Sequence, residues 1–311
     1  MTKIERVDAS LAGKPFDRPP VSFWYHFGVQ HAPGERIAEL SLEFLRSYDL
    51  DYLKLMNDYF PPMPEGTEEI TDAEGLRTIE RFDVEKSDWA QQLRAIDILA
   101  RELDGEAYFI DTVFEPYQVL LRSYVGENLD RLIEEEPEAV LAALDVVTEN
   151  VIDYCTAALK RGAAGIFLST FSASKQMSRD RYMRFAYPFV ERIFKAVQDL
   201  GIMNTAHLHD YGIFVDDMVK LPIDVISYED TDSSNPDMPT LRTQWSGSIM
   251  GGMDKHRITR VTPAEARRNA EAGIAAGGST KFFLAPGCSF PTWFFPQAGH
   301  AIVDAAKRAA R

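Results

Sequence analysis

Cysteine is nearly absent from this chain, with only Cys155 and Cys288 in 311 residues. Two thiols cannot build a disulfide framework, which points to a reducing compartment and a fold held by its own core. Long apolar runs are also missing. No stretch approaches the ~20 residues of a membrane-spanning helix. The opening Met1-Thr2-Lys3-Ile4-Glu5-Arg6 has no apolar core of a secretory signal. The expectation is a cytoplasmic protein with no membrane contact. Positive charge is scarce: 33 Lys and Arg against 48 Asp and Glu leave a net charge of −15. Such a surface repels phosphate backbones, which argues against nucleic acid as a partner. Low-complexity linkers and repeats of fixed period are lacking too, so 1–311 reads as one domain.

What is present is an alternation of short β-like runs with longer amphipathic stretches, the pattern of repeated βα units. The runs are Val21–Trp24, Tyr52–Met56, Ala107–Asp111, Gly165–Ser169, Met203–His207, Val225–Tyr228, Ser248–Gly251 and Lys281–Ala285. Eight is the number a closed (β/α)8 TIM barrel needs, and that is the expected fold. Helices are expected over Ala139–Leu159 and Arg181–Leu200, each with apolar residues at helical spacing. Gly201 is the expected cap of the second. Thr262-Pro263-Ala264-Glu265 has the form of a capping box opening another helix. The Pro-rich stretch from Asp58 to Asp88 reads as a long βα loop with a small hairpin around Glu74-Gly75-Leu76.

In a barrel, the residues just after each strand share one mouth. Here they are unusually rich in titratable and polar groups. Tyr25 and His26 follow the first run, Asn57 and Asp58 the second, and Glu115 and Tyr117 the third. His207, His209 and Asp210 stand at the fifth, Glu229 at the sixth, Asp254 at the seventh and Cys288 at the eighth. In His207-Leu208-His209, residues i and i+2 of an extended segment point the same way. Cys288 could cross from the last strand to complete a zinc set with one position open. His-x-His alone is common, and from spacing alone a hydrogen-bonding pocket histidine with a small buried cysteine is the more frequent arrangement. Asp58 emerges at a strand end, where a carboxylate can serve as acid or base, or close a loop. The expected acid–base group is thus Asp58, Tyr25, His26, Glu115 and Tyr117, and the expected metal ligands are His207, His209 and Cys288. The expected substrate contacts are Trp24, Asn57, Tyr59, Glu229, Asp254 and Trp293, whose aromatic members suit a flat or apolar ligand.

Nearly end to end, the chain resembles the uroporphyrinogen decarboxylase superfamily, which includes zinc-dependent corrinoid and coenzyme M methyltransferases. The resemblance is carried by Arg18-Pro19-Pro20 leading into the first strand, and by Asp51 through Asp58, spaced as in the segment ending in the decarboxylases' catalytic Asp. Further parallels are Phe114-Glu115-Pro116-Tyr117, Gly162-Ala163-Ala164-Gly165-Ile166, Met250-Gly251-Gly252-Met253-Asp254, and Gly278 through Pro291. Two departures steer it toward the methyltransferase branch. The decarboxylases' two substrate-binding arginines after the first strand are Tyr25 and Val29 here, and their final-strand His is Cys288. The methyltransferase branch holds zinc with His-x-Cys and a distant Cys. His207 and Cys288 match that pattern, while His209 takes the place of the first Cys.

The resemblance implies Zn2+ as cofactor, a corrinoid supplied by a separate protein, a small thiol or hydroxyl substrate and a homodimer. The alternative is a metal-independent decarboxylase using Asp58, and the third reading is a non-catalytic ligand-binding barrel.

Overall fold

In a computed structural model, which describes residues 1–29 and 31–309, the chain forms one parallel sheet with helices packed outside it. Among the described residues the strands are β1 (Tyr52–Leu55), β2 (Tyr108–Phe114), β3 (Gly165–Thr170), β4 (Thr205–Leu208), β5 (Val225–Tyr228), β6 (Ser248–Met253) and β7 (Phe282–Pro286). They pair in sequence order, each parallel to the next. Strands covered on both faces should read as nearly continuous hydrophobic runs, and Ile166-Phe167-Leu168 and Phe282-Phe283-Leu284 do so.

Alternation sorts these side chains between two cores. Phe167 and Phe283 turn into the curl of the sheet, where they meet Trp24, Tyr52, Met56, Ile110 and Met250. Their neighbours Ile166, Leu168, Phe282 and Leu284 pack outward against the helices. The same period puts Lys54, Thr112, Ser169, His207 and Ser227 on the inner face, toward the C-terminal ends of their strands.

The sequence-based expectation of eight strands is corrected to seven. Val21–Trp24 makes only one parallel bridge, Val21 to Leu284. Pro19 and Pro20 have no N–H to give to a ladder, and Val21 spends its N–H on the Asp51 carboxylate at 2.9 Å. The segment still hydrogen-bonds to both neighbours: Leu284 N–H donates to the Pro20 carbonyl at 2.9 Å, and Asp51 N–H donates to the Val21 carbonyl at 2.9 Å.

Helix Pro137–Lys160 and the capped helix Pro263–Gly277 lie where expected. The expected helix Arg181–Leu200 is two helices, Arg179–Phe185 and Tyr187–Val197. The break falls at Ala186, two residues before Pro188, whose ring disfavours an uninterrupted helix. The second helix ends at Val197, so Gly201 is not its cap. No hairpin forms around Gly75. Ala73–Leu76 is one helical turn, with the Asp72 carboxylate accepting from Gly75 N–H. Among the described residues, no helix is long and apolar enough to cross a membrane.

Candidate metal centre and active-site cavity

His207 lies within β4 and His209 just beyond it, so both rings rise on the inner face. Two aromatic residues of the β3 side hold them. Phe167 stacks on His207 with centroids 4.9 Å apart, and Phe171 on His209 at 6.0 Å. His207 Nδ1 lies 3.3 Å from Ser227 Oγ on β5, while its Nε2 is buried with no hydrogen-bond partner among the described residues. Cys288 reaches the pair from the turn after β7. That turn presses so closely on the end of β5 that a Cβ at Gly287 would stand 2.5 Å from Glu229 Cα, which requires glycine there. Cys288 Sγ lies 3.6 Å from His209 Nδ1. One nitrogen from each ring and this sulfur all lie within 4.8 Å of one another.

Electrostatics favour a metal-ready state. Burial pushes the Cys288 thiol up, but His207 and His209 together outweigh it and hold the thiol well below its usual value. Burial pulls His207 down, against the opposing effect of Cys288, favouring the neutral ring. A thiolate and neutral imidazoles are the forms that bind zinc.

These groups line an open cavity with about 690 Å³ of empty volume. Trp24 and His26 line it as well. His26 Nδ1 lies 2.6 Å from Asp58 Oδ1, so Asp58 meets the cavity through His26. Asp58, Asn57 and Tyr59 border an adjoining cleft of about 480 Å³, which shares Phe114, Gln118 and Arg122 with the first cavity. Asn57 Nδ2 donates to Tyr154 Oη at 3.3 Å, tying the loop to a helix outside the sheet.

Other expected residues are placed elsewhere. Glu115 is fully buried and accepts backbone N–H bonds from Tyr117 and Phe171 at 3.2 Å, as a helix cap. Tyr117 is buried beside Phe171. Tyr25 packs edge-on among Phe27, Phe44 and Phe294. Asp254 caps a turn by accepting from His256 and Arg257 N–H. Trp293 is 76 % exposed. None of these five lines the large cavity. Glu229 follows β5 under the Gly287 turn; Thr231 donates to its Oε1, and its buried Oε2 has no hydrogen bond among the described residues, with Lys255 and His256 each 3.9 Å away. Asp210, left-handed at φ +77°, is held by Gln176 through its carboxylate and by Asn235 through its carbonyl.

Sequence reasoning passed over Lys54. It sits mid-strand in Tyr52-Leu53-Lys54-Leu55, 4 % exposed, and lines the cavity. Its Nζ donates to Thr112 Oγ1 at 2.8 Å and to Met56 Sδ at 3.0 Å. It also stands over the rings of Phe167 and Trp24, 4.4 and 5.1 Å from their centroids. The available signal was a lone charge inside a strand otherwise fit for burial.

A family model described as uroporphyrinogen decarboxylase (URO-D) matches residues 2–309. A uroporphyrinogen decarboxylase from Shewanella amazonensis is 25% identical over 179 residues, covering 51% of this chain and 50% of that protein. A methylated-thiol–coenzyme M methyltransferase from Methanosarcina mazei is 31% identical over 106 residues, 34% of this chain and 29% of that protein. The chain therefore spans half or less of the length of each of these relatives. Among solved structures, a methyltransferase from Methanosarcina mazei superposes with a TM-score of 0.79 over 99% of both chains at 17% identity, which establishes likeness of fold.

Proposed function

The chain belongs to the uroporphyrinogen decarboxylase family, and we propose that within it the protein is a zinc-dependent methyltransferase acting with a corrinoid protein on a small thiol or hydroxyl substrate. The observation that carries this reading is the convergence of His207, His209 and Cys288 within 4.8 Å, at a cavity large enough for a small molecule. The donor set fits zinc: two imidazoles and a low-lying thiol, with the buried Nε2 of His207 left without any other partner. Three protein ligands leave one position for substrate. Bound there, zinc would lower the pKa of a thiol or hydroxyl and make it nucleophilic near neutral pH.

The chain's own residues supply the rest. Phe167 and Phe171 fix the two rings by stacking, and Ser227 orients His207 through Nδ1. The aromatic walls, including Trp24 and Phe114, exclude water and favour an apolar methyl group. Phe60, Trp293 and Phe295 are exposed in the loops after β1 and β7, apolar surface that a docked corrinoid protein would cover. The curated methyltransferase relative acts, by its name, on a methylated thiol, which agrees with the thiol reading.

A decarboxylase of highly carboxylated substrates is less well supported. Tyr25 and Phe27 extend an apolar cluster, and among the cavity-lining residues only Lys54 and Arg122 are lysine or arginine. The test is metal analysis of protein purified without chelator, followed by methyl transfer from methylcobalamin to 2-mercaptoethanol. One zinc per chain, with both zinc and transfer lost in His207→Ala, is expected. A zinc content unaffected by that change would end this reading.

A further inference from the structure

We infer that Lys54 is a catalytic base of this cavity: its amine takes the proton of the substrate thiol and then faces the resulting thiolate as an ammonium ion. This rests on the proposed zinc and thiol chemistry and adds to it the destination of the proton. The S–H bond breaks, an N–H bond forms, and nothing is oxidised or reduced.

The hydrogen-bond inventory carries the inference. A neutral amine has two N–H groups and one lone pair. Thr112 Oγ1 gives its own hydrogen to the Leu55 carbonyl at 2.6 Å, so toward Lys54 it can only accept. Met56 Sδ also can only accept. Both hydrogens of the neutral amine are thereby committed, and the lone pair is what Lys54 can offer the cavity it lines. The protonated state is provided for as well, since the faces of Phe167 and Trp24 stabilise a cation. The cavity's other bases have other roles: His26 is paired with Asp58, and His207 and His209 are the proposed ligands. No hydrogen bond joins Lys54 to those ligands among the described residues.

The groups acting on Lys54 are Cys288 after β7, Asp58 after β1, Asp111 on β2 and His207 on β4. Burial outweighs the three acids and pulls Lys54 down to about 7, a value suited to exchanging a proton near neutrality.

The experiment counts protons. Zinc-loaded protein is titrated with 2-mercaptoethanol by calorimetry, in buffers of different ionisation enthalpy, at pH 8 and pH 6. At pH 8 the wild type should release close to no proton per thiol bound, because Lys54 keeps it. As the pH falls toward 6 and Lys54 gains its proton before the thiol arrives, release should rise toward one. Lys54→Met and Lys54→Arg should release about one at both pH values, because neither side chain can accept a proton. Release of about one by the wild type at pH 8, with thiol bound, overturns the role of Lys54 while leaving the zinc reading intact. Failure of zinc-loaded wild type to bind the thiol overturns both. The wild-type pH contrast needs no variant to fold.

Discussion

The two ends of the sheet treat buried charge in opposite ways. At the N-terminal end, Arg6, Arg18 and Asp51 form a closed cluster. Both arginines donate to the Asp51 carboxylate, Asp17 and the Met1 carbonyl take the rest of Arg6, and Val21 N–H also donates to Asp51. Both carboxylate oxygens of Asp51 are matched, and its connections tie the N-terminal helix Lys3–Leu11 and the Val21 segment to the start of β1. At the C-terminal end, His207 Nε2 is buried without a hydrogen bond among the described residues, Glu229 Oε2 has Lys255 and His256 no nearer than 3.9 Å, and Lys54 has capacity left over. Burying unmatched polar groups costs on the order of 1–3 kcal/mol each. Hydroxyls go unmatched at the closed end too, as at Ser22 and Tyr52; the contrast lies in the charged groups, which are paired with one another there, whereas Lys54 and the two histidines line a cavity at the other end.

The comparison can be broken most severely at the closed end. Asp51→Ala strands the buried Arg18 guanidinium, takes one of Arg6's two carboxylate partners and leaves Val21 N–H unpaired, and should cost roughly 3–5 kcal/mol, read as a large loss of urea stability. In the opposite region, Cys288→Ser should leave the stability of the zinc-free protein within about 1 kcal/mol. Its zinc affinity should fall by more than the roughly 10–100-fold typical of changes to outer-shell partners, measured by competition with a chromophoric chelator.

Lys54 sharpens the contrast through pH. Its folded value, about 7, lies below the usual 10.5, so between those values the unfolded chain binds more protons than the folded one. Stability from this residue therefore rises with pH across that window, by an amount on the order of a few kcal/mol. Lys54→Met should remove that rise, so the variant gains on the wild type at pH 7 and loses the advantage by pH 10. Unfolding curves at the two pH values check it. The smallest effect belongs to Trp293→Ala, a change at an exposed loop position, which should shift stability by no more than about 0.5 kcal/mol and leave zinc content unchanged.

Much of this was legible from residue order, for identifiable reasons. Seven strands stood out because parallel strands buried on both faces read as short apolar runs between turn signals. The eighth, Val21–Trp24, had the same composition, but its pairing depended on Asp51, thirty residues away, capturing the Val21 N–H. Periodicity revealed helix Pro137–Lys160, yet could not show that Pro188 would split the next one. His207, His209 and Cys288 came together as their i, i+2 spacing and strand-end positions suggested. Glu115, in contrast, carries a carboxylate at an equivalent position and spends it on two backbone N–H groups. Position after a strand identifies which residues can reach the mouth; it does not say which way each loop residue turns. Lys54 was obscured because it lies within a strand, one layer below the loops where polar residues were sought.

The central claim is that two rings and one sulfur over this cavity form a zinc site. Its most direct test is a zinc titration of metal-free wild type and of Cys288→Ser, monitored by competition with a chelator of known affinity. Tight binding of one zinc per chain, greatly weakened in the variant while its fold is retained, is the predicted result. Equal weak binding by both proteins would contradict it.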